Sequence, residues 1–325
     1  CNLIDYEKIV DEKNKRLIFF GRYAGLAGMI ETIHAYGKKL KLQGMHTPLE
    51  KIKQAYQYSS VEEAKMHFKS VAHDLQKNGI PKDLGPVIFG FAGYGNVSCG
   101  AQELFDLLPH KDLSPTELAK NFSSLTSWDG TLFKFVFKEE HMVIPKNGKF
   151  DLRDYYDNPE NYTGNFSSWL PYINVLVNCI YWTEKYPRLV TKDYLNQHPD
   201  GNLSVIGDIS CDIEGSIEIT HKTTYPDSAT YTYFPAEKEF KDGTLRNGIT
   251  IMAVDNLPCE FSKESSIEFS RVIREFIPLL IQENFNVSLE ELKLPTSMKR
   301  GLILHQGKLT EDYIYMKKYL KKENS

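Results

Sequence analysis

The residues best placed to do chemistry stand in one word, GFAGYGNVSCGAQ (residues 90–102), which overlaps the apolar run PVIFGF (86–91) and leads into a segment of helical pattern from Gly100 to Leu108. A strand, a glycine-rich turn and a helix N-terminus in that order bring backbone N–H groups and the positive end of a helix dipole against a diphosphate. Gly93 makes the tight turn, and Gly95 lets the diphosphate reach the backbone. The third glycine of the G-x-G-x-x-G pattern is Ser98 here, and Gly100 is left to permit close packing of helix against strand. A lone glycine word is weak, and its two flanking elements strengthen it. The competing reading is a turn whose glycines serve packing alone.

A dinucleotide site needs a discriminating residue about 20 positions on, at the end of a second strand: an acid for the ribose of NAD, or room and a cation for the extra phosphate of NADP. Counting from Gly93 reaches Lys111-Asp112-Leu113-Ser114-Pro115. With Leu113 as the last buried position, Ser114 takes the discriminating place, and Lys111 stands near for a 2′-phosphate. An ordinary loop serine is the alternative. Further on, Asp208, Asp212, Glu214 and Glu218 cluster after an expected strand, and Asp255 follows the run Ile249 to Val254. Both lie at carboxyl edges, where open α/β sheets bind ligands. Hydride transfer needs no metal, so the cluster is read as binding amides or a hydroxyl, and no metal is expected. Cys99 in the glycine word has no adjoining base and is not a nucleophile.

These residues need a scaffold, and the composition allows one. The chain has 325 residues, of which 41% are hydrophobic, and a net charge of −4 with both signs interspersed. That gives no concentrated basic face for nucleic acid, so Lys317, Lys318, Lys321 and Lys322 read as a solvated helix end. No apolar run approaches the ~20 residues that span a bilayer. Five scattered cysteines (Cys1, Cys99, Cys179, Cys211, Cys259) without a C-x-x-C pair fit reduced thiols, and six sequons without a leader fit chance matches; an intracellular protein, cytoplasmic or mitochondrial, is expected. A homo-oligomer is compatible with all of this.

Hydrophobic period supplies the elements. Asn2 to Val10 and RLIFF (16–20) read as short extended segments around a charged turn at Asp11 to Lys15. Helices are expected from Tyr23 to Leu42, with Gly21, Gly25 and Gly28 admitting another backbone, and from Val61 to Asn78, stopped by Gly79 and Pro81. Short apolar runs at Leu132 to Phe137, Val175 to Tyr181, Val205 to Ile209 and Ile249 to Val254 alternate with helical or irregular stretches. The expected fold is α/β: a doubly wound Rossmann-type parallel sheet with flanking helices. Lys263 to Asn284 and Glu311 to Lys322 read as closing helices.

Six words in order, LIDYEKIVD (3–11), FGRYAGLAGM (20–29), GFAGYGNVSCGAQ, NCIYW (178–182), DISCDIEGSIE (208–218) and DNLP (255–258), resemble the lysine-ketoglutarate reductase part of α-aminoadipic semialdehyde synthase and, more distantly, the lysine-forming saccharopine dehydrogenases. The resemblance runs through nearly the whole chain. It implies two Rossmann-like domains with the active site in the cleft between them, and reduction by NADPH of the imine of L-lysine and 2-oxoglutarate to saccharopine, or the reverse reaction with NAD in the fungal relatives. Position by position, it places Glu7 and Arg16 at the substrate, Asp255 near substrate and nicotinamide as the catalytic candidate, Asn178 and Cys179 beneath the nicotinamide ribose, and Gly93, Gly95, Asn96 and Val97 at the diphosphate.

The family's acid–base lysine and histidine have no match here, because about a third of its reductase precedes the DYEK word. His34, His46, His67 and His73 read instead as surface or core residues. On this reading residues 1–20 end a substrate domain and connect to a dinucleotide domain at 21–262, and the helices of 263–325 pack on the substrate domain. An incomplete enzyme whose N-terminal part is absent is then expected, with an unpartnered apolar face at Phe269 to Leu280. Two rivals share the glycine word: a non-catalytic nucleotide-sensing module, and an alanine dehydrogenase-like enzyme. Tyr181 and Trp182 are expected to fill core.

Overall fold

The structure, a computed structural model, describes residues 1–320 apart from the side chains of Ala119 and Asn121; Lys321 and Lys322 of the lysine run lie outside the described residues. The chain divides into two units, Gly21–Ser262 and a smaller one assembled from Cys1–Phe20 with Lys263–Ser325.

The larger unit is built on an eight-stranded sheet: β1 Ile88–Ala92, β2 His110–Asp112, β3 Leu132–Phe137, β4 Val175–Asn178, β5 Val205–Asp208, β6 Thr230–Phe234, β7 Glu239–Asp242 and β8 Ile249–Met252. Their order is β7-β6-β8-β5-β4-β1-β3-β2. The run from β8 to β2 is parallel, and the hairpin β6-β7 adds antiparallel to β8. Every residue of β1, β4, β5 and β8 is buried, as expected of parallel strands covered on both faces. One face carries a core that includes Ile88, Phe135, Phe137, Ile173, Leu176, Ile206 and Tyr231.

Helix α1 (Gly21–Leu42) is apolar on most sides and buries Leu26, Met29, Ile30, Ile33, Tyr36 and Leu40. Helix α2 (Val61–Asn78) is amphipathic, with Ala64, Phe68, Val71 and Leu75 inward; Ser60 accepts from the Glu63 amide at its start, and Gly79, at φ +69, ends it. Helix α3 (Asn96–Phe105) follows the glycine turn and α4 (Pro115–Asn121) follows β2. The close approach predicted for the glycines is between α1 and α3. A Cβ on Gly25 would stand 1.9 Å from the Val97 carbonyl oxygen, and one on Gly100 2.1 Å from that of Arg22. Gly100 therefore packs helix on helix, where the sequence suggested helix on strand.

In the smaller unit Leu3–Ile4 pairs antiparallel with Leu302–His305. The charged turn is real, since Asp11 Oδ1 accepts from the amides of Lys13 and Lys15, but RLIFF forms no strand beyond a single Val10–Arg16 bridge. The long closing helix is two, Ser262–Ile273 and Ile277–Gln282, because Pro278 supplies no amide for a continuous ladder. Phe269, Val272, Ile273, Phe276 and Leu280 pack around Ile9, Ile18, Leu294 and Met298, so that face has its partner within the unit. Ile267 and Ile281 remain exposed. The final helix is a 3-10 stretch, Glu311–Tyr319.

Candidate functional site

The chain leaves β1 into the glycine turn where strand order reverses, with β3 on one side and β4 on the other. That is the crevice where open α/β sheets take ligands. Gly93 sits at φ +91, which only glycine adopts without strain, and its missing Cβ would press on Ile180 Cγ2 at 3.0 Å. Gly95 is the N-cap of α3, and a Cβ there would meet nothing within 4 Å. Free amides at the head of a ten-residue helix beside open space fit a diphosphate, so the residues present suit a dinucleotide. Asn96 and Val97 open that helix, and Ser98 is buried, its hydroxyl accepting from Gln102 Nε2 at 2.9 Å.

Next to the turn, at the end of β4, Asn178 is fully buried. Its Nδ2 donates to Asp208 Oδ1 and to Ser216 Oγ, both at 2.8 Å, while its Oδ1 has no partner. The Cys179 amide bonds the Ala92 carbonyl at 3.1 Å, tying this strand end to β1. Burial pushes the Cys179 thiol up, which makes it a poor nucleophile. Asp208 also accepts from Thr220 Oγ1 at 2.5 Å and the Cys211 amide at 3.3 Å, and burial lifts its carboxyl to about 6. Asp208 thus holds Asn178 and the DISCDIEGSIEIT loop.

Two other acids of that loop are engaged, Glu214 with Lys192 Nζ at 2.7 Å and Glu218 with the Lys192 amide at 2.8 Å. Among the described residues no group of three or more His, Cys, Asp or Glu side chains could hold a metal ion. Asp255 is exposed just past β8, with its amide weakly on the Thr224 carbonyl at 3.4 Å. Tyr181 is 87% exposed, against the expectation that it fills core, and Trp182 donates to the Tyr186 and Pro187 carbonyls. His34 is bonded to the Ile52 carbonyl and His67 to the Tyr58 hydroxyl, as scaffold histidines would be.

Glu7 and Arg16 belong to the smaller unit and meet there, guanidinium to carboxylate, at 2.9 Å with both half exposed.

Ser114 follows β2 and opens α4. β2, the strand before it, lies at the sheet edge and pairs only with β3, so it does not neighbour the glycine strand. Ser114 caps α4 in a reciprocal box with Glu117. The strand beside β1 is β3, and its end runs Phe137-Lys138-Glu139. Glu139 accepts from Tyr94 of the turn and from Tyr156. The sequence count missed these residues because β2 and α4 lengthen the interval from glycine turn to neighbouring strand. The signal was there in LFKFVF, the first full-length apolar strand after the turn.

A second buried acid lies five residues beyond Asp255. Glu260 and Glu31 of α1 are both buried and stand within hydrogen-bonding reach of each other. Glu31 accepts from the Ala55 amide at 2.6 Å and Gln54 Nε2 at 3.3 Å; Glu260 Oε2 accepts from the Tyr56 amide at 3.1 Å. Glu260 Oε1 meets no donor, so burial first and Glu31 second push this carboxyl far above the usual range. Burial and the neighbouring like charge together favour the protonated form of Glu260.

The alanine dehydrogenase/PNT C-terminal domain profile matches residues 160–312. An alpha-aminoadipic semialdehyde synthase of Arabidopsis thaliana is 37% identical over 97% of this chain and 30% of its own length. The mitochondrial enzyme of that name from Mus musculus is 30% identical over 97% of this chain and 36% of its own. The NAD(+), L-lysine-forming saccharopine dehydrogenase of Emericella nidulans is 25% identical over 86% of this chain and 61% of its own. A solved L-alanine dehydrogenase superposes with a TM-score of 0.50 at 12% identity, covering 95% of this chain and 66% of that one, and shows the shared fold. The chain spans about a third of the length of the synthases it matches. With the six sequence words, the sheet and the glycine turn all in place, the chain is similar over nearly its whole length to alpha-aminoadipic semialdehyde synthases and, at lower identity, to an L-lysine-forming saccharopine dehydrogenase.

Proposed function

We propose that this chain is the cofactor-binding part of an oxidoreductase that reduces the imine of L-lysine and 2-oxoglutarate to saccharopine with NADPH. The observation that carries the reading is the glycine turn at the strand-order reversal, open at Gly95 and flanked by the buried Asn178 amide with its unpartnered oxygen. The nicotinamide supplies the hydride when bound. The chain's own part is orientation: Gly93, Gly95, Asn96 and Val97 hold the diphosphate, and Asn178 and Cys179, fixed by Asp208 and by β1, support the ribose beside it. Asp255, exposed at the β8 edge, positions the amine and takes part in its proton transfer. In the smaller unit, which we read as belonging to the substrate domain, Arg16 exchanges Glu7 for a substrate carboxylate as a bidentate fork, and Glu7 is freed toward the substrate amine.

The test is NADPH oxidation with 2-oxoglutarate and lysine, alanine or no amine, alongside titration of the dinucleotide. Lysine-dependent oxidation supports the reading. Binding of the dinucleotide without turnover also keeps the reading as a cofactor-binding part, since the acid–base lysine and histidine that the resemblance implies have no match in this chain. Equal rates with alanine overturn the substrate, and absence of dinucleotide binding overturns the whole.

A further inference from the structure

The glycine turn carries a tyrosine at its centre. Tyr94 is 46% exposed, and its hydroxyl donates to Glu139 Oε2 at 3.0 Å. From the short helix Leu152–Asp157, Tyr156 donates to Glu139 Oε1 at 2.5 Å. Glu139 starts the helix Glu139–Met142 directly after β3; Lys138 before it is exposed and keeps its backbone amide on His141 Nδ1 at 3.0 Å. Two hydroxyl donors therefore face one place, with Lys138 next to it in sequence, and the anion in it is the chain's own carboxylate.

In a dinucleotide fold, the end of the strand beside the glycine strand is where the ribose remote from the nicotinamide is read. An acid there suits free hydroxyls, and a cation suits a 2′-phosphate. This chain has one of each.

We propose that Glu139 is an internal anion occupying a receptor formed by Tyr94, Tyr156 and Lys138, and that the 2′-phosphate of NADPH displaces it whereas NADH leaves it seated. The inference rests on the dinucleotide reading. A phosphomonoester brings about two negative charges and three strong acceptors, which match two hydroxyls and an ammonium, and it cannot share them with a carboxylate. Displacing Glu139 weakens NADPH binding in the native chain, and Lys138 opposes that loss.

Binding of NADPH and of NADH, followed by nicotinamide fluorescence on the whole chain, tests it. Glu139→Gln is expected to tighten NADPH about tenfold and to change NADH less than twofold. Lys138→Met and Tyr94→Phe are each expected to weaken NADPH at least fivefold with NADH unchanged. Glu140→Gln, which removes a neighbouring exposed carboxylate, controls for net charge and is expected to shift NADPH less than twofold. The proposal is overturned if Glu139→Gln moves both cofactors together, if Glu140→Gln matches it, or if Lys138→Met leaves NADPH unchanged. Should the native chain bind neither cofactor, the dinucleotide reading itself fails, a result distinct from these.

Discussion

Replacing Glu260 by glutamine removes the need to keep a proton on a buried carboxyl. Glu260 is 8% exposed and lies against Glu31, which is fully buried, so Glu260 keeps its proton through neutral pH. In the unfolded chain the same carboxyl loses its proton near ~4.3, and each unit between that value and the working pH is ~1.36 kcal/mol. At pH 7 the difference is on the order of 4 kcal/mol against folding. The sign follows from proton counting: above ~4.3 the folded state holds one proton more than the unfolded state, so stability falls as pH rises until the raised folded pKa is passed. Glutamine keeps the geometry, its oxygen accepting from the Tyr56 amide and its NH2 donating to Glu31. Allowing for an imperfect fit, Glu260→Gln is expected to stabilise the chain by about 2–3 kcal/mol at pH 7, by less at pH 5.5 and by more at pH 8. Urea unfolding of both proteins at the three pH values measures this. A variant whose stability parallels the native chain at every pH, or lies below it at pH 7, would refute the protonated Glu260.

Three further outcomes follow from the site. Gly95→Val is expected to leave the far-ultraviolet circular dichroism and melting temperature unchanged, since its Cβ meets nothing and φ is −76, yet to weaken dinucleotide binding by at least ~100-fold in the same titration. Gly100→Ala is expected to destabilise by ~3 kcal/mol or more in urea unfolding, because its methyl would stand 2.1 Å from the Arg22 carbonyl and the helices must part. Ser114→Ala is expected to cost ~1 kcal/mol as a lost cap with the NADPH-to-NADH affinity ratio unchanged; a reversed ratio would return Ser114 to the cofactor site.

Hydrophobic period made much of the larger unit legible. Val61–Asn78 was readable to the residue because apolar positions recur at helical spacing up to the stop at Gly79 and Pro81, and the buried parallel strands stood out as short unbroken apolar runs. The hairpin β6-β7 was not legible, since TYTYF and EFKD mix polar and aromatic residues on a half-covered edge. Spacing rules failed where strand order departs from the usual succession. A count of about 20 residues assumes that the next strand is the neighbouring strand, and β3 takes that place instead. Buried acids such as Glu31 escaped notice because a glutamate in a helical pattern reads as solvent-facing, and only the fold brings the Ala55 amide and Glu260 to it.

The smaller unit joins the two ends of the described chain. Ile9 and Ile18 meet Leu294 and Met298 across roughly 280 positions, so its core closes one of the longest loops the chain allows. Contacts of that separation are slow to form, and they reward the chain only after the intervening residues have been organised. The sheet of the larger unit, whose helix-linked parallel strands lie much closer in sequence, is the natural first assembly, and the smaller core condenses last. During synthesis Ile9 and Ile18 leave the ribosome long before Leu294 and Met298 exist, so the contacts among them wait until the intervening chain has been made.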